Sequence, residues 1–356
     1  MIDLYGWSDE LQASFAPHAA SGLLPARVIA HHRDLWRLVT RQGETSGRLS
    51  GRFARDAVPG DYPVVGDWLA IGGAPDSADA IIHALLPRRT VFSRRAAGGV
   101  GVQIVAANVD VALLVAALNG DLNPRRLERY IVAARESGAM PVIVLVKADL
   151  SDNPEEDTRR VAEVAGGVPV VTLSALTGQG VSGLEPWLTP GRTAALLGSS
   201  GAGKSTLLNA LAGRVLMDTG AIRESDDRGR HTTTHRELFR LPGGALLVDT
   251  PGMRELGLPA DTALDESFAD VAALVPNCRF GNCTHDIEPG CAVQAALRSG
   301  ALSAERWRAY LKLQRELALV VRKDDPAAKA ANRARGKQIH KAQRSKYKHR
   351  RRLGES

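Results

Sequence analysis

The sequence predicts a multi-domain chain: an OB-type β-barrel, an α/β domain of P-loop type, and a small helical zinc-binding domain. Three observations carry this. Five short strand-like runs, separated by Gly, Pro and acidic residues, fall between Arg27 and Leu86, which is the spacing of a small barrel. From Asn108 to Val248 apolar strands alternate with amphipathic helices, the rhythm of a mostly parallel sheet covered on both faces. After Pro259 that rhythm stops, and the chain's 3 cysteines cluster between 278 and 291. The expected boundaries are 1–97, 98–259 and 260–356, and 356 residues suffice for three such units.

Residues 1–24 contain Trp7 and Phe15 without clear periodicity, and are expected to form a loosely docked leader. The barrel runs are Arg27–Ala30, Leu35–Val39, Gly47–Phe53, Asp67–Ile71 and Ala80–Leu86, expected as an antiparallel set. Arg27, Arg33, Arg37, Arg41, Arg48, Arg52 and Arg55 recur through them, with Trp36 and Phe53 interleaved. That mix suits phosphate contacts and base stacking, and it equally suits an ordinary solvated face. Arg88 to Gly101 is basic and then glycine-rich, and is expected as a linker. Asn108–Ala117 and Pro141–Val146 are apolar enough to be buried strands. Pro124–Glu136 is a helix with Asn123 as N-cap and Pro124 in its first position. A second helix follows Pro154, then a strand over 168–173. The strand before the glycine-rich turn at 198 and the strand at 244–248 extend the same sheet.

Beyond it, residues 267–274 are helical, and Ser303 opens a long helix with Trp307, Tyr310, Leu311, Leu313, Leu317 and Val320 on one broad face. From Arg322 the chain is dense in Lys and Arg. Lys337, Lys341, Arg344, Lys346, Lys348, Arg350, Arg351 and Arg352 form a basic tail that accounts for much of the +7 net charge. Such a tail suits an anionic partner such as RNA. No run approaches the roughly 18 apolar residues of a membrane span. The N-terminus lacks the basic start and apolar core of a signal peptide, so a cytoplasmic, membrane-free protein is expected. A hydrophobic fraction of 44% supports packed cores rather than a disordered chain.

Five loops carry chemistry. Gly198, Ser199, Ser200, Gly201, Ala202, Gly203, Lys204, Ser205 and Thr206 match the phosphate-loop pattern between a strand and a helix. Small residues let backbone N–H groups surround phosphate oxygens, and the helix N-terminus adds positive potential. Lys204 suits the β- and γ-phosphates, and Ser205 suits Mg²⁺. Asp249-Thr250-Pro251-Gly252 closes an apolar strand, where Asp249 can hold the Mg²⁺ shell and the Gly252 N–H can meet a γ-phosphate. Lys147-Ala148-Asp149 closes another, where the carboxylate can accept the N1–H and exocyclic amine of guanine. Ser174-Ala175-Leu176 can present an N–H to the guanine O6. Together these favour GTP over ATP. In the fifth loop, Gly229 to Thr234, the Thr233 hydroxyl can join Mg²⁺ on closure. Many GTPases place a glutamine after the loop glycine to orient water. Met253 stands there instead, so His231 is the candidate substitute. Separately, Cys278, Cys283, His285 and Cys291 make a closed Cys₃His set for one structural Zn²⁺.

The motifs are similar to GTPase motifs one to five at 198–205, 232–234, 249–252, 146–149 and 174–176, with the fourth and fifth preceding the first. That circular permutation, with a barrel before and a zinc cluster after, closely resembles the RsgA/YjeQ family of ribosome small-subunit-dependent GTPases, from about Arg27 to Trp307. The resemblance implies GTP and GDP binding, a role in late small-subunit maturation, hydrolysis stimulated by that subunit, and contact with its rRNA. A monomer is expected. One position departs: the family's fourth motif usually begins with an asparagine that ties the base loop to the phosphate loop, and Val146 stands there. Its absence bears on affinity more than on guanine selectivity, because Asp149 remains. Two rivals stay open: a nucleotide-gated RNA-binding protein that barely hydrolyses, and an ATP-dependent P-loop protein, which Asp149 and Ser174 disfavour.

Overall fold

One hydrogen-bonded sheet of 11 strands runs through both β-containing units. The computed structural model describes residues 1–32, 34–58, 60–73, 79–95, 102–119, 122–199, 201–217, 236–249, 264 and 268–324. At one end the sheet rolls into a barrel of β1 (Leu24–His32), β2 (Leu35–Val39), β3 (Glu44–Leu49), β4 (Trp68–Gly72) and β5 (Asp79–Leu85). The order β1-β2-β3-β5-β4 closes through a β1–β4 pairing. All neighbours are antiparallel except β3 and β5, which run parallel. The five-stranded OB-type barrel is therefore present, with one pair that a fully antiparallel set lacks. The expected strand 47–53 breaks at Ser50, whose hydroxyl accepts from the Phe53 N–H at 3.1 Å and caps helix α2 (Gly51–Asp56).

Residues 1–24 are not a loose leader. Helix α1 spans Asp9–Ala20, capped by Ser8 and carrying Asp9 and Glu10 in its first turn, where they complement the helix dipole. Ile2, Leu11 and Phe15 are buried against Trp68 and Leu86, and Trp7 meets Phe15 and Trp68 edge-on. With so few apolar anchors, the segment shows little periodicity. The expected linker is also structured in part. Strands β6 (Val91–Arg95) and β7 (Val102–Ala107) pair antiparallel, and Phe92 is buried.

The remainder of the large sheet comprises β8 (Val111–Ala117), β9 (Met140–Val146), β10 (Val170–Thr172), β11 (Thr193–Leu197), β12 (Arg236–Arg240) and β13 (Leu246–Asp249). Helices α3 (Pro124–Glu136), α4 (Pro154–Val164) and α5 (Lys204–Ala212) connect them. Asn123 and Asn153 cap α3 and α4, each followed by a proline in the first turn. The order is β10-β9-β8-β11-β13-β12. The chain walks outward from β8 to β10, then returns to lay β11 beside β8. That reversal is a topological switch point, where open α/β sheets bind ligands.

Strand β12 falls outside the expected elements. It pairs antiparallel with β13 on one side and with β1 of the barrel on the other, so the two β units share one sheet. Arg27 reinforces the joint. Its buried guanidinium donates to the carbonyls of Tyr5, Gly66 (3.2 Å) and Asn108 (3.1 Å) and to Thr193 Oγ1 (2.9 Å). Burial draws its pKa down to about 10, against the opposing pull of Asp110 and Asp67, which leaves it cationic at neutral pH.

Two members of the expected nucleic-acid face are therefore structural. Arg27 is internal, and Trp36 is buried with its Nε1–H on the Pro63 carbonyl at 2.9 Å. Arg37 and Arg48 pair with acidic neighbours, and Arg52 and Arg55, which share Asp56, keep side chains 88% and 75% exposed. Arg33 lies outside the described residues, as does the basic tail from 325 onward.

The C-terminal unit is helical: α6 (Ala269–Leu274), α7 (Ala292–Ser299) and α8 (Ala304–Asp324). Ser303 Oγ caps α8 by accepting from Arg306 N–H at 3.1 Å, and Trp307, Tyr310 and Leu313 are buried as the periodicity predicts. Arg306 joins this unit to the sheet unit, bonding Glu128 of α3 at 3.1 Å and both oxygens of Asp270, and lying over Phe268. Among the described residues no helix is long and apolar enough to cross a membrane.

Candidate guanine-nucleotide site and metal cluster

Strands β8, β9, β10, β11 and β13 are parallel and end on one edge of the sheet. The base loops at 146–149 and 174–176 and the phosphate loop leave from three of those ends, and Asp249 stands at a fourth. The phosphate loop follows β11, directly beside β8, and so sits at the switch point. A side chain at Gly198 would place its Cβ 2.4 Å from the Val115 carbonyl oxygen of β8, so only glycine lets the loop turn there. Gly201 and Gly203 both have positive φ, 75° and 94°, and Gly203 caps the start of α5. Ala202 is buried. The loop's backbone is thus curled at the helix N-terminus, the geometry that binds phosphate. Lys204 Nζ lies across the loop, donating to the carbonyls of Gly198 (2.8 Å) and Ser199 (2.5 Å). Ser205 and Thr206 lie half-buried in the first turn of α5. Ser200 is outside the described residues.

The base side is built from the ends of β9 and β10. Lys147 adopts the left-handed conformation, φ 61°, and starts a short turn over 148–150 that presents Asp149 exposed. The Ala148 N–H donates to the Leu173 carbonyl at 3.2 Å, which fastens this turn to the segment carrying Ser174. Ser174 is fully buried. Its Oγ accepts from the Thr177 N–H at 3.2 Å, and its carbonyl from the Gly178 N–H at 2.9 Å, shaping the loop that carries Ala175. The base and phosphate loops also meet. Lys147 Nζ donates to the Gly201 carbonyl at 3.1 Å, and Val146, buried at the end of β9, sits against Gly203, whose virtual Cβ is 3.4 Å from Val146 Cγ2. The tie expected of an asparagine is met here by one ammonium group and one apolar contact.

Asp249 ends β13, whose pairing with β11 makes the two strand ends neighbours. His231, Thr233 and Gly252 lie outside the described residues.

The metal cluster is compact. Cys278, Cys283, His285 and Cys291 offer ligand atoms all within 4.8 Å of one another. Cys278 Sγ is 3.9 Å from Cys291 Sγ, and His285 Nδ1 is 3.5 and 3.6 Å from those two sulfurs. A tetrahedral Zn²⁺ with Zn–S of about 2.3 Å and Zn–N of about 2.1 Å needs edges of roughly 3.6–3.8 Å, so the residues fit the ion. Supporting contacts hold the ligands. Gln294 Nε2 donates to the His285 carbonyl at 2.7 Å, and the Cys291 sulfur caps α7 through Gln294 N–H. Glu288 accepts from the Asp286 N–H at 3.0 Å and from the Thr284 amide and hydroxyl, and the Thr284 bonds hold its pKa down to about 2. The sequence pattern did not single out Glu288 or Gln294, whose roles depend on loop closure.

Comparison with known proteins agrees with this architecture. Residues 85–259 match the RsgA GTPase family model. A protein of Opitutus terrae named small ribosomal subunit biogenesis GTPase RsgA is 48% identical over 353 residues, covering 96% of each chain. A protein of the same name from Methanosarcina acetivorans is 42% identical, covering 94% of this chain and 90% of its own. The crystal structure of YjeQ from Thermotoga maritima superposes with a TM-score of 0.62 at 27% identity, over 83% of this chain and 99% of that one. YloQ, described as a circularly permuted GTPase, shares the fold with a TM-score of 0.61. Base-loop strands that precede the phosphate-loop strand, a preceding five-stranded barrel, a following Cys₃His cluster and near-full-length similarity converge on one conclusion: this chain belongs to the RsgA family of circularly permuted GTPases.

Proposed function

We propose that the chain hydrolyses GTP to GDP and phosphate while bound to the small ribosomal subunit, in late maturation of that subunit. The observation that carries the reading is the convergence of the phosphate loop, the Lys147–Asp149 turn and the Ser174 loop on one sheet edge at the switch point. Backbone N–H groups of 199–206 and Lys204 bind the phosphates, and Asp149, with the Ala175 N–H, selects guanine. Mg²⁺, when bound, neutralises charge on the β- and γ-phosphates, and Ser205, Thr233 and Asp249 are the residues that would hold it. The Gly252 N–H meets the γ-phosphate, and His231 orients water when a subunit docks.

The Cys₃His set takes one structural Zn²⁺, with no open position for catalysis. Exposed Arg52 and Arg55 on the barrel and the basic tail suit rRNA. We take the working units as 1–97, 98–259 and 260–356, and the protein as a cytoplasmic monomer. Nucleotide turnover with GTP and ATP, with and without purified small subunits, tests the reading. GTP-selective turnover that rises with subunits is the expected result. Binding without turnover would favour the nucleotide-gated RNA-binding alternative, and equal use of ATP would remove the guanine assignment.

A further inference from the structure

We propose that the cleft between the sheet unit and the C-terminal unit is a docking site for a basic segment of a partner protein, an extended stretch that carries arginine or lysine between small residues. The inference goes beyond the nucleotide site and holds whether or not the chain hydrolyses GTP. The cleft has a volume of about 610 Å³. That lies within the roughly 300–1,000 Å³ of pockets that hold drug-sized ligands, so it takes a few side chains of an extended peptide. Its walls come from both units: α3 and the C-terminal end of α4 on one side, the starts of α6 and α8 on the other. Val164, Ala301 and Leu302 give it apolar surface. An occupant therefore touches both units at once.

Charge selects the occupant. Carboxylates of Glu128, Glu163, Asp270 and Glu305 line the cleft, against one guanidinium, that of Arg306. Arg306 is committed to two of them, holding Glu128 at 3.1 Å and Asp270 at 3.0 Å. Glu163 on α4 and Glu305 on α8 are exposed, and among the described residues neither makes a hydrogen bond or ion pair. Helix ends alter this balance only slightly. Helices α3 and α8 start at the cleft and α4 ends there, each adding roughly half a charge, positive at a start and negative at an end. The cleft stays negative by about two to three charges on that count. In a chain of net charge +7 this is a local reversal, which attracts a cationic side chain and repels the phosphates of a nucleic acid. Because Glu163 and Glu305 stand on opposite walls, a segment with two basic residues answers both units and holds their angle.

The test uses full-length protein and a fluorescein-labelled peptide of about twelve residues, alternating arginine and alanine, with binding read by fluorescence anisotropy. Three variants probe the cleft: Glu163→Lys with Glu305→Lys, the milder Glu163→Gln with Glu305→Gln, and Ala301→Trp, which fills space without changing charge. Glu155→Lys with Glu185→Lys, at exposed positions outside the cleft, controls for net charge. The wild type is expected to bind with a Kd below about 0.1 mM at low salt, weakening as ionic strength rises. The lysine pair and Ala301→Trp are each expected to raise the Kd about tenfold, the glutamine pair about threefold, and the control pair less than about threefold. A wild-type Kd above about 0.1 mM, equal losses in the lysine and control pairs, or an unchanged Kd in Ala301→Trp would each overturn the inference. An oligouridylate of about twelve nucleotides that displaces the peptide and is itself weakened by Ala301→Trp would assign the cleft to RNA. Self-association of the wild type that the lysine pair abolishes would assign it to a second copy. Either result overturns the inference as well. GTP turnover enters none of these readings, so failure of the proposed function and failure of this inference are separate results.

Discussion

Removing the Arg27 guanidinium should loosen the joint between the barrel and the nucleotide-binding unit. Arg27 holds four acceptors from four parts of the chain: Tyr5 before α1, Gly66 before β4, Asn108 before β8, and Thr193 at the start of β11. It also lies over the Trp68 ring at 5.1 Å. Each hydrogen bond from a charged donor is worth roughly 1.5–3 kcal/mol, but burying the cation costs several kcal/mol in return. The two nearly cancel for the intact site and separate on mutation. Arg27→Ala leaves both a cavity and polar groups without this donor, at about 3–5 kcal/mol. Arg27→Met keeps the apolar stem and removes the buried charge, so about 1–3 kcal/mol is expected. A chain of several units is poorly described by one unfolding midpoint. Amide hydrogen exchange of β1 and β11 is the better assay, and 3 kcal/mol corresponds to roughly a hundredfold faster exchange if opening is local. An Arg27→Met protein with unchanged exchange in both strands would refute the argument. It would mean that the four acceptors are satisfied without the guanidinium, so that losing this donor costs the joint nothing.

Other outcomes follow from the site. Asp149→Asn should weaken GTP relative to xanthosine triphosphate, whose base offers the complementary acceptor, and an unchanged preference in competition binding would remove Asp149 from base selection. Lys147→Gln should raise the Kd for GTP and GDP alike by about tenfold, the worth of one charge-assisted bond, with Val146→Asn in the same chain recovering part of it; additive losses by calorimetry would show that the two residues do not share the tie. Burial alone would raise the pKa of Asp270, but the Arg306 fork and charge hold it below the ordinary carboxylate value. Its contribution is therefore complete above the ordinary carboxylate range and fades as pH falls through the lowered value, so Asp270→Asn should flatten the acid limb of thermal stability. Cys283→Ser, or chelation of the wild type, should release bound zinc measured by mass spectrometry and expose Trp307, which meets His285 edge-on at 5.7 Å. Unchanged tryptophan fluorescence after zinc loss would show that the cluster does not organise α8.

The features legible in the sequence were those that chemistry fixes locally. Gly198, Gly203 and Lys204 must stand at set spacing because a loop of a few residues surrounds a phosphate, and the four zinc ligands sit within a short span for the same reason. Asn123, Pro154 and Ser303 announced their helices because caps and first-turn prolines act locally. What was not legible depends on distant partners. Strand β12 has only five residues, three of them charged, and its identity comes from β13 and β1 on either side. Arg27 and Trp36 share composition with a nucleic-acid face, and only packing sets them apart. The 1–20 segment buries Ile2, Leu11 and Phe15, a pattern that acquires meaning once Trp68 and Leu86 supply the other surface.

The continuous sheet also decides which parts can move when nucleotide changes. A barrel joined through β1–β12 pairing and a buried four-acceptor arginine cannot rotate against the nucleotide-binding unit without breaking both. The C-terminal unit is held differently. Its contact with α3 combines the Arg306–Asp270–Glu128 group with buried apolar residues that continue the core of the sheet unit, beside a cleft of about 610 Å³ lined by α3, α4 and the start of α8. Among the described residues no strand pairing crosses this interface, so it can shift by repacking of side chains where a sheet would have to break its hydrogen-bond ladder. The segment that leaves β13 at Asp249, whose motif responds to the γ-phosphate in GTPases, leads in sequence to α6 and the zinc cluster. Reordering there would act first on the more weakly held unit, and the rigid Cys₃His loop would carry the displacement as a whole. The permuted motif order has a structural consequence: the base loops precede the phosphate loop in the chain, and among the described residues no further strand of the sheet follows Asp249.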